Sequence, residues 1–173
     1  MKEIIEILTA RGETISTMES CMGGGIANAI TNIEGASEVF KFCAVTYANE
    51  FKIKMGVPKE VIDKYTVYSM EVANEMSEKI AAYAHSDYGV GVTGKLNRVD
   101  RFNPFGEDNI VYISIYDKSN KKHYNATVEA TEKSRKENKD LVLNTITYQL
   151  LEVLKKKEKK HVKSISSKSL KKI

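Results

Sequence analysis

The chain has 173 residues, 42% of them hydrophobic and 29% charged, with a formal net charge of +4. That length suits one domain with a real core, and the composition is that of a soluble globular protein, not of a disordered or fibrous one. No apolar run approaches a membrane span, and the opening Met1-Lys2-Glu3-Ile4-Ile5-Glu6 is not a signal peptide, so the default compartment is the cytoplasm.

Cys21 and Cys43 show no Cys-x-x-Cys spacing and read as reduced thiols. The charge is uneven. Residues 155–173 hold nine lysines and one glutamate, so the basic character belongs to a tail, and residues 1–154 are mildly acidic. The tail reads as the end of the last helix followed by a disordered stretch. It has no aromatic residue on which a base could stack, which argues against nucleic acid as a partner. Nothing points to a membrane partner.

In chain order, Ile4, Ile5 and Leu8 predict a short first helix over 2–10, stopped at Arg11-Gly12. A strand follows over 14–18, then a glycine-rich corner and a helix over 24–32. Residues 38–47 are β-branched and aromatic and read as a strand. Short helices are expected over 49–55, with a stop at Gly56, and over 58–63 after Pro58. Ser69 caps a helix over 70–85 whose apolar face is Val72, Met76, Ile80 and Tyr83. A central strand over 87–93 leads into a polar loop, 94–108. Strands over 109–116 and 122–130 then form a hairpin across 117–121. The last helix, 135–157, carries the stripe Val142, Ile146, Leu150, Val153 and Leu154. Alternating strands and helices with one hairpin give an α/β fold, a three-layer α/β/α domain around a mixed sheet of about five strands.

The corner Thr17-Met18-Glu19-Ser20-Cys21-Met22-Gly23-Gly24-Gly25 is the stretch with chemistry. A strand feeding a helix through glycines aims helix N-terminal amides at one point and lifts the strand-end hydroxyl of Ser20 clear of the sheet. The same pattern is also that of a plain turn with a serine cap. Two other motifs fail. Gly89-Val90-Gly91-Val92-Thr93-Gly94 matches G-x-G-x-x-G, but Val90 and Val92 read as strand interior and no helix follows. The segment reads instead as a strand ending at Thr93-Gly94 on the rim of a site. His85, His123 and His161 show no ligand spacing, so no metal site is expected.

The corner, together with Val45-Thr46-Tyr47-Ala48-Asn49-Glu50-Phe51-Lys52, resembles the C-terminal domain of the competence/damage-inducible CinA family, which includes nicotinamide mononucleotide amidohydrolases. A motif similar to T-x-E-S-C-T-G-G is matched at Thr17, Glu19, Ser20, Cys21, Gly23 and Gly24. One similar to V-T-Y-x-N-x-x-K is matched at Val45, Thr46, Tyr47, Asn49 and Lys52. Thr66-Val67-Tyr68-Ser69 and Val92-Thr93-Gly94 resemble two weaker motifs, and the likeness covers residues 1–154.

The resemblance implies an α/β/α fold and hydrolysis of a pyridine nucleotide's carboxamide, a reaction that needs no metal or cofactor. It implies Ser20 as nucleophile, Lys52 as base once desolvation lowers its pKa, and Tyr47 as proton relay or substrate-orienting group. Cys21 is an alternative nucleophile. The amides of Met22, Gly23 and Gly24 are candidates for the oxyanion or the 5′-phosphate. Glu19 either faces the substrate or pins the corner. Asn49, Thr93 and Gly94 fall at the expected pocket, and Lys95, Arg98 and Arg101 are candidates to hold a phosphate.

This chain departs from the family at three places. Met22 replaces a threonine, and Lys95 to Phe105 replaces an Ile-Ala-Gly-Pro turn. A Gly-Asp-Arg turn before the last helix is missing, with Arg135 and Lys136 nearby but out of register. Two readings stay open: an amidohydrolase with a modified pocket, or a member that binds a nucleotide-like ligand or a protein partner without turnover. A homo-oligomer is the expected assembly.

Overall fold

Five strands form one mixed sheet in a computed structural model that describes the backbone of residues 1–169 and the side chains through Lys157. Strand β1 (Ile15–Glu19) lies between β2 (Phe40–Val45) and β3 (Tyr88–Gly94), parallel to both. Strands β4 (Ile110–Asp117) and β5 (Lys122–Glu129) extend the sheet antiparallel beyond β3. The chain leaves β1 for β2 on one side and returns to β3 on the other. Glu19 pairs with Val45 and with Val92, so the carboxyl ends of all three parallel strands open at one edge. Such a switch point is where open α/β sheets place ligands.

Alternation along β1 separates the two cores. Ile15 faces a layer built on α1 (Lys2–Arg11) and α7 (Arg135–Ser169), where it packs with Ile4, Leu8, Val142, Ile146 and Leu150. Met18 faces the other layer, with Val72, Met76 and Ile80 of α6 (Met70–Tyr83). The mixed five-stranded α/β sheet is therefore as the sequence predicts.

Several boundaries differ. Residues 38 and 39 are not strand: a helical turn, α3 (Ala36–Val39), precedes β2, because Gly35 at φ 84° reverses the chain and Val39 turns into the core. Tyr83 does not join the apolar face of α6 and is 62% exposed. Helix α7 runs past 157 to Ser169, and the disorder expected at the end of the tail concerns, beyond that point, residues outside the described ones. Among the described residues no helix is long and apolar enough to cross a membrane.

The glycines of β3 have a packing role. Helix α6 lies directly on them, and a Cβ on Gly89 would sit 2.0 Å from the Ser77 carbonyl oxygen. On Gly91 it would sit 2.3 Å from the carbonyl oxygen of Ala73. Only hydrogen fits between strand and helix there.

The corner after β1 is held by one carboxylate. Glu19 is fully buried, and its Oε2 accepts from the amides of Gly24 (2.9 Å) and Ile26 (3.2 Å). Its Oε1 accepts from the Ala27 amide (2.9 Å) and the Thr17 hydroxyl (3.3 Å). These amides open α2 (Gly25–Thr31), and they lack helical acceptors. Gly23 and Gly24, at φ 59° and 91°, supply the left-handed backbone that brings them back over the carboxylate.

Replacing Gly91 by alanine should lower the unfolding free energy by about 3 kcal/mol or more, since backbone atoms cannot yield as side chains do. Glu19→Ala should lose about 3 kcal/mol by orphaning buried amides. Urea titration reads both, as a shift of midpoint at constant slope.

Candidate active site

Ser20 stands one residue past β1, and its amide still bonds the Val92 carbonyl (3.0 Å), so sheet bonding fixes its backbone. Its side chain is held from behind by Lys52. Helix α4 (Asn49–Lys54) turns this lysine inward until only 1% of it is exposed. The Lys52 ammonium donates to the Thr46 carbonyl (2.7 Å), the Ser20 hydroxyl (3.1 Å) and, at 3.5 Å, the Tyr47 carbonyl. Three acceptors meet three N–H donors, and none of the three is a carboxylate. Burial therefore dominates and lowers the lysine to about 8. A neutral amine is then available to about one molecule in ten at pH 7 and one in two at pH 8.

Ser20 forms part of the wall of a cavity of about 990 Å³ at the carboxyl edge of the sheet. Of the residues singled out in the sequence, Cys21, Tyr47, Asn49, Gly94, Lys95, Arg98 and Arg101 also line it. Lys52 lies behind Ser20 and touches the cavity only through it.

The remaining candidates are elsewhere. Glu19 pins the corner, as described. Met22 packs into the core beside Ile26, and its side chain does not reach the cavity, so the threonine it replaces marks a packing change in this structure. The Gly24 amide is taken by Glu19 and the Gly23 amide by the Ser20 carbonyl (3.1 Å), so neither is available to a ligand. Thr93 points the other way along the strand's alternation: its hydroxyl donates to the Val67 carbonyl (2.9 Å), fixing the chain ahead of α6.

Two residues line the cavity in roles that differ from the expected ones. The Lys95 ammonium is bound to Asp108 (2.7 Å) and the Gly106 carbonyl (3.2 Å), closing the base of the loop. The Tyr47 phenol is 65% exposed and accepts from Arg135 (3.2 Å); it bonds neither Ser20 nor Lys52 among the described residues. A direct relay between Tyr47 and the serine–lysine pair therefore has no contact to run through. The Cys21 thiol is pushed up to about 11 by burial, only partly offset by Arg135, and so stays protonated at neutral pH. That favours Ser20 as the nucleophile.

The cavity also holds Asp100, Phe102 and Asn103, from the loop 95–105 that the sequence reading expects to line the pocket, and Tyr68 and Arg135, which sequence reasoning does not place there. Asp100 accepts from the Tyr68 hydroxyl, the Asn103 amide group (2.9 Å) and the Phe102 backbone amide (2.9 Å). Burial raises its pKa, but these hydrogen bonds outweigh it and bring the carboxyl down to about 2. Arg135 opens α7, and its guanidinium reaches the cavity from a point distant in sequence. Three guanidiniums, from Arg98, Arg101 and Arg135, thus border one cavity, a setting for an anionic ligand. Among the described residues no group of three or more histidine, cysteine, aspartate or glutamate side chains is placed to hold a metal ion.

Comparison with known proteins places this geometry. Residues 1–156 match the CinA C-terminal domain family. A competence-damage inducible protein of Clostridium kluyveri is 40% identical over 120 residues, which is 68% of this chain and 29% of that protein. One from Caldanaerobacter subterraneus is 47% identical over 96 residues, 54% of this chain and 23% of that protein. The chain thus spans under a third of the length of these relatives. Among solved structures, the competence/damage inducible protein CihA from Agrobacterium tumefaciens superposes with a TM-score of 0.75 at 29% identity, covering 88% of this chain and 92% of that one. A CinA superfamily protein from Escherichia coli shares the fold, with a TM-score of 0.77 at 23% identity over 88% of this chain and 87% of the other. The matched residues take in β1, the corner and α4, and the chain belongs to the CinA C-terminal domain family.

Proposed function

We propose that this chain hydrolyses the carboxamide of nicotinamide mononucleotide to nicotinate mononucleotide and ammonia. The observation that carries the reading is the 3.1 Å contact between the buried Lys52 amine and the Ser20 hydroxyl at the cavity wall. A serine hydroxyl is a weak nucleophile until a base takes its proton. A lysine near 8 serves as that base, and the Thr46 and Tyr47 carbonyls hold its N–H groups while the lone pair faces Ser20.

In this mechanism Ser20 Oγ bonds to the amide carbon as its proton passes to Lys52. The negative charge gathers on the former carbonyl oxygen. The backbone amide of Cys21, next to Ser20 at the cavity wall, is the donor we assign to that oxygen. The C–N bond then breaks, the proton on Lys52 goes to the leaving nitrogen, and ammonia departs from an ester on Ser20. Water, deprotonated by Lys52, cleaves the ester, and the proton returns to Ser20. Arg98, Arg101 and Arg135 are the groups assigned to the nucleotide phosphate.

A second reading, binding without turnover, is favoured by one feature. Asn103 of the loop bonds Asn49 (2.7 Å) across the cavity, which narrows entry. Ammonia release from nicotinamide mononucleotide by purified protein separates the two. Release supports hydrolysis; a thermal shift with the nucleotide but no ammonia supports binding alone.

Ser20→Ala should reduce kcat by about a thousandfold or more while the fold is kept. Full turnover by this variant would remove the nucleophile assignment. Lys52→Met should lose turnover to a similar degree. Wild-type kcat should rise with pH through a midpoint near 8, where the lysine becomes neutral. Stability gives a second readout. Below pH 8 the lysine is charged in both folded and unfolded chains, and the fold bears the burial penalty. Between 8 and the free-lysine value of 10.5 the folded protein sheds the proton first, so stability gains about 3 kcal/mol from this group. Unfolding free energies from urea titration should therefore rise by that amount between pH 7 and pH 10.5 in wild type relative to Lys52→Met, which lacks the titrating group.

A further inference from the structure

Phe102 is 95% exposed and yet lines the cavity. Its surroundings are not those of a loose loop tip. Asp100 takes the Phe102 amide (2.9 Å) and the Asn103 side chain (2.9 Å), and is itself held by the Tyr68 hydroxyl just ahead of α6. Asn103 in turn accepts from Asn49 (2.7 Å), the first residue of the helix that carries Lys52. Lys95 clamps the base of the same loop to Asp108 and Gly106. The backbone on either side of Phe102 is thus tied to both walls of the cavity. Polar groups do all of this tying, and the Phe102 ring they surround faces water at the mouth, beside the smaller Val99. The same loop exposes a second phenyl ring, Phe105, but only Phe102 of the two lines the cavity.

We infer that Phe102 is a specificity-determining residue, the face on which a planar cationic ring of the ligand stacks. This rests on the proposed reaction and deepens it. The ring of nicotinamide mononucleotide is a pyridinium, flat and positively charged. The face of a phenyl ring carries the negative part of its quadrupole, so it attracts such a ring both by apolar contact and by charge. Asp100, a full carboxylate two residues away, adds to that preference for a cation. The arginines at the same cavity suit the phosphate at the other end of the molecule. The ligand class selected is therefore an N-glycosylated pyridinium phosphate, in preference to an uncharged nicotinamide or a ring-free sugar phosphate.

The chain has no tryptophan, so Phe102→Trp introduces a single indole at the cavity mouth. Stacking of nicotinamide mononucleotide on it should quench its fluorescence, and ribose 5-phosphate at equal occupancy should not. Phe102→Ala should lower kcat/KM by about tenfold or more, the change falling in KM, and Phe102→Leu should not rescue it. No quenching, together with a KM within twofold of wild type in Phe102→Ala, would overturn the inference while leaving the hydrolysis intact. Quenching without ammonia release from wild type would support the stacking role and remove the hydrolysis. A wild type that neither binds nor hydrolyses the nucleotide would overturn both.

Discussion

A protein carboxylate occupies the place where a glycine-rich corner usually receives a ligand. Glu19 fills the start of α2, taking the amides of Gly24, Ile26 and Ala27 in a site closed to water. Two consequences follow from that one set of bonds. The helix start is satisfied internally, so its Gly24, Ile26 and Ala27 amides are not open to an anionic ligand. The chain between strand and helix is also fixed at both ends, which leaves Ser20, the next residue along, with a single backbone path. The Ser20 hydroxyl is fixed in position because its neighbour is buried and fully bonded.

In the proposed reading, recognition of a phosphate falls to side chains. Arg98 and Arg101 come from the loop after β3 and Arg135 from the start of α7. Guanidiniums on separate elements can adjust to a ligand in a way that helix amides cannot. In that reading the chemistry and the recognition are carried by different parts of the fold. The serine–lysine pair is held by the sheet edge and by α4. The charge that would select a substrate is held by the segments in which this chain departs most from the family pattern.

The sheet was legible because its signals are local and repeated: β-branched strands, glycine stops and a hairpin turn. The misread turn at Ala36–Val39 is short, and Val39-Phe40 carries a strand's residue types whichever state it adopts. For the site, Ser20 and Lys52 stood out through motif resemblance, and the structure brings them into contact. Thr93 was placed on the cavity because a strand end fixes a location but not which face a side chain takes. Lys95 looked available because its partner, Asp108, lies on the far side of a loop whose path no periodicity describes. Arg135 escapes for the same reason, and for Phe102 the sequence places the loop at the pocket but not the ring at its mouth. Their roles arise from where the chain returns in space, and neither a charge in a polar stretch nor an isolated aromatic carries that information.

The glycines of β3 shape what this pocket can become. With only hydrogen between strand and helix at Gly89 and Gly91, α6 cannot move relative to the sheet without lifting off it. Tyr68 and Ser69 at the head of that helix therefore form a jamb with no play. The opposite side, from Asn97 to Glu107, is held mainly by side-chain bonds, with the Arg98 amide on the Asp108 carbonyl as a backbone tie. A lineage seeking a new substrate has one hinge-side panel it can recarve and one doorpost it must keep.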